Sequence, residues 1–324
     1  MKTIYFITCC LIIIKSFGQI NTIKVVTDKK NESTQAYDSL KNFLGRDIKK
    51  YIGQDLYLYG GIVPSITKEY GYENFYTKIL DKYERPAKSN VYKCCAEKSF
   101  AKSEYEALKE KYFKVIDVVD GKNYDEYYLK LVEKNSNDIV YFKYNQENKY
   151  AFPFFVVGFV EKLKNNVVGK DFVFTKGKVF IDINGKDYDR ATIGNILKCT
   201  DVSIVEKNDS SNLSLIFNDK AGHTFNYRYE YVYSNFDNDY TIPRFAYSQD
   251  EAIEFEKTFG KIYWSSVLNE EIKIGMPYQA CYLIWGRPEK INETITAGKK
   301  SQQWVYKDKY AYFINNKLQS YNNK

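Results

Sequence analysis

Two stretches of this chain, IKKYIGQDLYLY (Ile48 to Tyr59) and LKNNVVGKDFVF (Leu163 to Phe174), constrain its fold more than any other feature. Each offers an apolar residue, Lys, a β-branched residue just before Gly, a polar pair ending in Asp, and then an apolar strand. The pairs Ile52/Val168, Gly53/Gly169, Asp55/Asp171, Leu56/Phe172 and Leu58/Phe174 all lie 116 positions apart. Downstream the likeness continues. YFKVIDVV and YYLKLVEKNSNDIVYFKY are echoed by KCTDVSIV and LSLIFNDKAGHTFNYRY, with turn residues at Asn135-Ser136-Asn137-Asp138 and from Asn218 to Gly222 between strands. Leu129, Leu131, Val140 and Phe142 alternate onto one face in the first copy, as Leu213, Leu215 and Phe217 do in the second. The reading is a tandem β-rich unit, built as small antiparallel barrels or sandwiches.

The first copy carries an insertion that the apolar spacing reads as helical. GYENFYTKILDKYE sets Phe75, Ile79, Leu80 and Tyr83 on one stripe, and SEYEALKEKYF has Ser103 with Glu106 three residues on, the capping-box spacing. AFPFFVVGFV (Ala151 to Val160) is too short to span a bilayer and reads as a buried strand broken early by Pro153. Near Ser248 a third unit begins. SQDEAIEFEKTFG is a helix with Ser248 as N-cap, Glu251 three on, the stripe Ala252, Phe255 and Phe259, and Gly260 as its end. A strand-like KIYWSSVL follows, then a short helix from Pro277 to Trp285, where Pro suits a first turn, Gly286 suits a left-handed C-terminal position and Pro288 forbids continuation. SQQWVY, YAYFI and KLQSY then make a three-stranded meander. The expected class is α+β. Its divisions are a leader (1–18), a first β-rich unit with a helical insertion (19–150), a second β-rich unit (151–245) and a helix-helix-sheet module (246–324).

Within that last module, Ile274-Gly275-Met276, the short helix, Trp285-Gly286-Arg287-Pro288 and then Gln303-Trp304-Val305-Tyr306, Tyr312-Phe313 and Asn316-Lys317-Leu318 form a pattern. It resembles the SmpA/OmlA-like domain of bacterial envelope proteins, over about fifty residues. The resemblance implies a small α+β protein-contact module at the outer membrane, not an enzyme. Met276, Gly286, Pro288, Trp304 and Tyr306 match the family's pattern, and Met276, Trp285, Trp304 and Tyr306 are the candidate partner-binding residues of this module. The chain departs from the family in lacking a lipid-anchor cysteine and in having more than 250 residues ahead of the matching stretch that begins at Ile274.

Compartment follows from the first eighteen residues. Lys2, an apolar run from Ile4 to Ile14 and a small-x-small end at Ser16-Phe17-Gly18 have the layout of a signal peptide cleaved before Gln19, and the run is short of the roughly 20 residues a membrane span needs. The expectation is a periplasmic or secreted protein with no transmembrane span in the mature chain. Losing Lys2 and Lys15 takes the formal charge from +7 to +5, with the basic residues scattered, which argues against nucleic-acid binding. Of the cysteines left, Cys94, Cys95, Cys199 and Cys281, no C-x-x-C pair forms a zinc spacing; a disulfide between distant cysteines and a set of free or buried thiols are both open.

Chemistry is sparse. His223 is the only imidazole, and nucleophile-elbow, zinc-protease, P-loop and dinucleotide motifs are absent, so no catalytic residue, metal site or cofactor is assigned. Asp237 with Asp239, and the acids of NGKDYD (Asn184 to Asp189), read as solvated turns. Tyr124, Tyr127 and Tyr128, and the alternating Tyr227, Tyr229, Tyr231 and Tyr233, would suit stacking on sugars but equally suit a core. The leading expectation is a non-enzymatic envelope protein that binds another protein. The alternatives are a carboxylate-dependent hydrolase of glycans or cell-wall polymer, which needs only two acids about 5 to 10 Å apart, and a carbohydrate-binding module.

Overall fold

Gly53 and Gly169 sit at φ of 82° and 87°, a region that side chains avoid, and each turns the chain into a strand. In the computed structural model the N–H of Gly53 bonds the carbonyl of Val115, and that of Gly169 the carbonyl of Cys199, both at 2.8 Å. The return bonds, Val115 N–H to Gln54 O and Cys199 N–H to Lys170 O, are both 2.9 Å. The repeated Gly-x-Asp thus fixes the same junction twice. The structure describes residues 22–23, 36–39, 41–60, 64–95, 101–176, 179–181, 187–190, 196–207, 210–229, 245–296 and 298–324.

In chain order, β1 (Thr22–Ile23) precedes the first unit, which holds β2 (Asp55–Leu58), α1 (Pro64–Tyr70), β3 (Phe75–Tyr76), α2 (Tyr105–Leu108), β4 (Tyr112–Asp120), β5 (Tyr127–Glu133), β6 (Ile139–Tyr144) and β7 (Phe154–Val156). After α3 (Val157–Val167) come β8 (Asp171–Phe174), the small hairpin β9 (Val179–Ile181) with β10 (Asp187–Arg190), then β11 (Ile196–Lys207), β12 (Ser210–Asn218), β13 (Thr224–Arg228) and β14 (Ala246–Ser248). The sheets are ordered β3-β6-β5-β4-β2-β7 and β13-β12-β11-β8-β14, with β1 added to β11. Setting β3 and β1 aside, the two orders are the same, and every pairing is antiparallel.

Finer details repeat too. The register of β4 on β5 shifts between Val115 and Asp117, and that of β11 on β12 between Cys199 and Asp201. Both bulges are stitched by the aspartate, whose Oδ1 accepts the next residue's N–H at 2.8 Å. These are open sheets and not the closed barrels that the short strands allowed, so each unit keeps edge strands and buries its inner face under helix and neighbour. α3 supplies that cover through Phe159, Val160, Leu163 and Val167, and it joins both units into one continuous apolar core.

The third part is α4 (Gln249–Phe259), α5 (Lys261–Asn269), α6 (Tyr278–Trp285) and a sheet ordered β15 (Lys290–Thr296), β16 (Lys299–Val305), β17 (Lys309–Ile314), β18 (Lys317–Asn323). Its own core reaches sheet two through Val173 and Tyr247. The capping box at Ser248 forms: its Oγ accepts the Glu251 N–H at 3.3 Å, and the Glu251 carboxylate accepts the Ser248 N–H at 2.9 Å. Gly260 and Gly286 close their helices at φ of 83° and 74°. The α+β class holds.

Five local expectations do not. KIYWSSVL is the helix α5, because Trp264, Val267 and Leu268 bury at helical spacing. AFPFFVVGFV is a strand only to Val156; from Val157 the buried positions have helical period. GYENFYTKILDKYE is not helical: Asn74 at φ 72° and Tyr83 at φ 66° break it, and Phe75 and Tyr76 pair with Phe142 and Tyr141. The capping box at Ser103 does not form, since its Oγ donates to Tyr92 O at 2.6 Å while Glu106 pairs with Lys109 at 2.8 Å. α2 is accordingly a single turn, ended by Lys109 in an extended conformation. The final meander has a fourth strand, β15, whose sequence KINETIT is rich in β-branched residues.

Candidate functional site: the last sheet and its edges

The buried acids Glu126 and Glu133 are the first places to look for carboxylate chemistry. Burial alone would raise the value of Glu126, but bonds from Lys143 (2.8 Å), Asn123 (2.8 Å) and Tyr128 (2.9 Å) outweigh it and hold the group below the ordinary range. Glu133 is likewise lowered: against burial stand the turn N–H groups of Asn135 and Ser136, at 3.0 and 3.2 Å, with Lys111 and Lys93 each 3.6 Å away. A general acid needs the opposite shift. Both carboxylates clamp hairpin turns.

His223 does similar work. Its Nδ1 lies 2.8 Å from Asp219, whose other oxygen accepts the N–H of His223 at 2.8 Å and of Ala221 at 2.9 Å, so the pair ties the β12–β13 turn. Cys94 and Cys95 are bonded to each other, while Cys199 and Cys281 are free thiols buried in separate cores, each pushed up to about 12 by burial. Neither of those two can reach the other, so the long-range bridge that the sequence left open is not made. Among the described residues no group of three His, Cys, Asp or Glu converges on a point.

The tyrosine row divides. Tyr227 is buried and stacks near Phe174, and Tyr229 packs against Phe159; Tyr128 is buried, Tyr127 half-buried, and Tyr124 fully exposed. Tyr231, Tyr233, Asp237, Asp239 and Asn184 lie outside the described residues, as do the leader and Gln19.

Of the four residues chosen in the last module, Met276, Trp304 and Tyr306 are buried: the rings of Tyr278, Tyr282 and Phe313 surround Trp304, and the Tyr306 hydroxyl donates to Gly286 O at 3.2 Å. They build the module and cannot touch a partner. Trp285 reaches the surface. Its ring meets Tyr306 at 5.7 Å and Tyr321 at 5.4 Å edge-on, with the Lys309 ammonium 5.7 Å from its centroid. Tyr321 is 47% exposed, and sequence spacing passed over it because a lone Tyr near a chain end carries no pattern.

Tyr321 stands on β18, an edge strand. Gly275 and Met276 pair with the start of that edge, N–H to Leu318 O at 2.8 Å and Leu318 N–H to Met276 O at 2.9 Å. From Gln319 to Asn323 every side chain is exposed, and β17 is the only strand beside them among the described residues. The charge here is uneven. From Gly286 to Lys324 there are eight basic residues against three acidic ones, so the scatter seen along the sequence becomes a basic sheet in the fold. An aromatic step, a cation and an open backbone edge on a basic sheet can receive an extended peptide.

Compared with family models, with curated proteins and with solved structures, the chain matches none.

Proposed function

We propose that this chain is an exported, non-enzymatic protein of the cell envelope that binds another protein through its last sheet. The observation that carries this reading is the surface pair Trp285 and Tyr321 with Lys309, set beside the end of β18, which among the described residues pairs only with β17. A partner strand laid along Gln319–Asn323 would gain main-chain bonds, and an apolar side chain of that strand would rest on the Trp285–Tyr321 step. The basic sheet favours an acidic partner segment. Support for export comes from the leader-like first eighteen residues, and support for an envelope role from the SmpA/OmlA-like pattern.

The test is a photoreactive residue placed at Tyr321 in cells, with one at Tyr83, which is 82% exposed in the first unit, as the comparison site. One recurrent protein joined at Tyr321 and not at Tyr83, and lost in Lys309→Glu, is the expected result. Adducts that never repeat between preparations, or that are the same from both sites, overturn the reading. An N-terminus at Gln19 on the mature protein is expected; an intact Met1 removes the case for export.

A further inference from the structure

The opposite edge of the same sheet has a different character. β15 pairs with β16 through seven consecutive positions with no register shift, so it presents a straight edge without the bulge or proline that guards many edges. Every described side chain from Lys290 to Ile295 is exposed, including Ile291 at 48% and Ile295 at 70%. Those two isoleucines share a face, because Ile291 opposes the buried Trp304 and Ile295 opposes Lys300 on β16. Among the described residues β16 is the only strand that pairs with β15.

The alternation of β15 places Ile291 and Ile295 at equal distances on either side of Glu293, with polar residues (Asn292 and Thr294, Lys290 and Thr296) at the positions between and outside them. A two-fold contact about that position sets each residue before it against the residue equally far after it, so the two isoleucines of one copy would meet those of the other. We propose that β15 pairs antiparallel with β15 of a second copy about an axis at Glu293, making one continuous sheet from the two last modules. Ile291 of each copy then opposes Ile295 of the other, and the exposed apolar pairs cover one another. The two Glu293 side chains meet at the axis, and each brings its own counter-charge: Lys300 Nζ lies 2.8 Å away and Gln302 donates at 2.8 Å. The axis therefore gathers two carboxylates and two ammonium groups, a balanced set. Because β15 and β18 are opposite edges, this contact leaves the Trp285–Tyr321 surface free and stands or falls independently of the partner proposed above.

Sedimentation of the full chain over a concentration series gives the mass, and oxidation of single-cysteine variants gives the register. The expected results are a monomer–dimer equilibrium that Ile295→Lys shifts to monomer with an unchanged circular dichroism spectrum, and a 293–293 disulfide in Glu293→Cys, identified by peptide mass spectrometry. Ile291→Cys should fail to link to itself, since its two copies would be four positions apart along the edge, about 13 Å. A monomer at all concentrations, a dimer indifferent to Ile295→Lys, or linkage at 291 in place of 293 overturns the proposal.

Discussion

The two β-rich units share a backbone and differ in how they fill it. Where the chain direction is set, the copies agree: Gly53 and Gly169, Asp55 and Asp171, and the bulge aspartates Asp117 and Asp201. Where only volume is needed, they trade. Leu58 faces Phe154 in the first copy, and Phe174 faces Ala246 in the second; Leu131 faces Val140, and Phe217 faces Phe225. A core can move bulk between neighbours at small cost, whereas replacing a glycine at positive φ carries a backbone cost that no neighbouring side chain offsets. Such a division is what a duplicated unit retains as its side chains diverge.

The strongest way to break this comparison is to empty matched core positions. Leu131 on β5 and Phe217 on β12 are both fully buried on the matching interior strands of their sheets. Leu131→Ala is expected to cost about 3 kcal/mol and Phe217→Ala about 4 kcal/mol. Because α3 joins the units into one core, each variant should lower a single cooperative transition in urea, followed by far- and near-ultraviolet circular dichroism. Two transitions, only one of them moved by each variant, would mean that the units fold separately.

A subtler contrast lies in the matched hairpin turns. Glu133 and Asp219 stand at the same place, each donating its N–H across the turn, to Asp138 O and to His223 O, both at 3.0 Å. Glu133 is fully buried and serves two lysines; Asp219 is partly exposed and serves one histidine. Glu133→Gln should therefore cost about 2 kcal/mol at neutral pH and Asp219→Asn about 0.5 kcal/mol. The folded value of Glu133 is lowered, so its contribution is complete above the unfolded carboxylate value of about 4.3 and is lost as pH falls through the folded value. Urea midpoints at pH 7 and pH 3.5 check the sign: Glu133→Gln should differ most from the parent at pH 7 and least in acid.

Much of this frame could be read from the chain because it is written in residues with a backbone meaning. The Gly-x-Asp pairs, the Ser248 capping box and the Gly260 and Gly286 stops each name a local geometry. What could not be read was decided by distant contacts. KIYWSSVL suits strand or helix, and burial of Trp264 against Tyr247 settles it. Ser103 matches a capping spacing, yet its backbone is taken by Tyr72 across the insertion, at 2.9 and 3.0 Å. The candidate site was half legible: Trp285 was named, but its companions Tyr321 and Lys309 join it only through sheet register, which spacing does not record.

The smallest expected effect is the sharpest test of equivalence. At Gly169 an added Cβ would meet no atom within 4 Å, so Gly169→Ala isolates the cost of holding an L-residue at φ 87°, about 1 kcal/mol. Gly53, at φ 82° with the same 2.8 Å bond into its sheet, should lose the same amount in Gly53→Ala. The two sites lie in different sheets and share no partner, so the double variant should lose their sum to within about 0.5 kcal/mol. If Gly53→Ala proved neutral while Gly169→Ala did not, the first junction would be free to relax in a way the second is not. The likeness between the copies would then be one of sequence and hydrogen-bond pattern without a shared energetic requirement, and the duplicated frame would lose its physical basis.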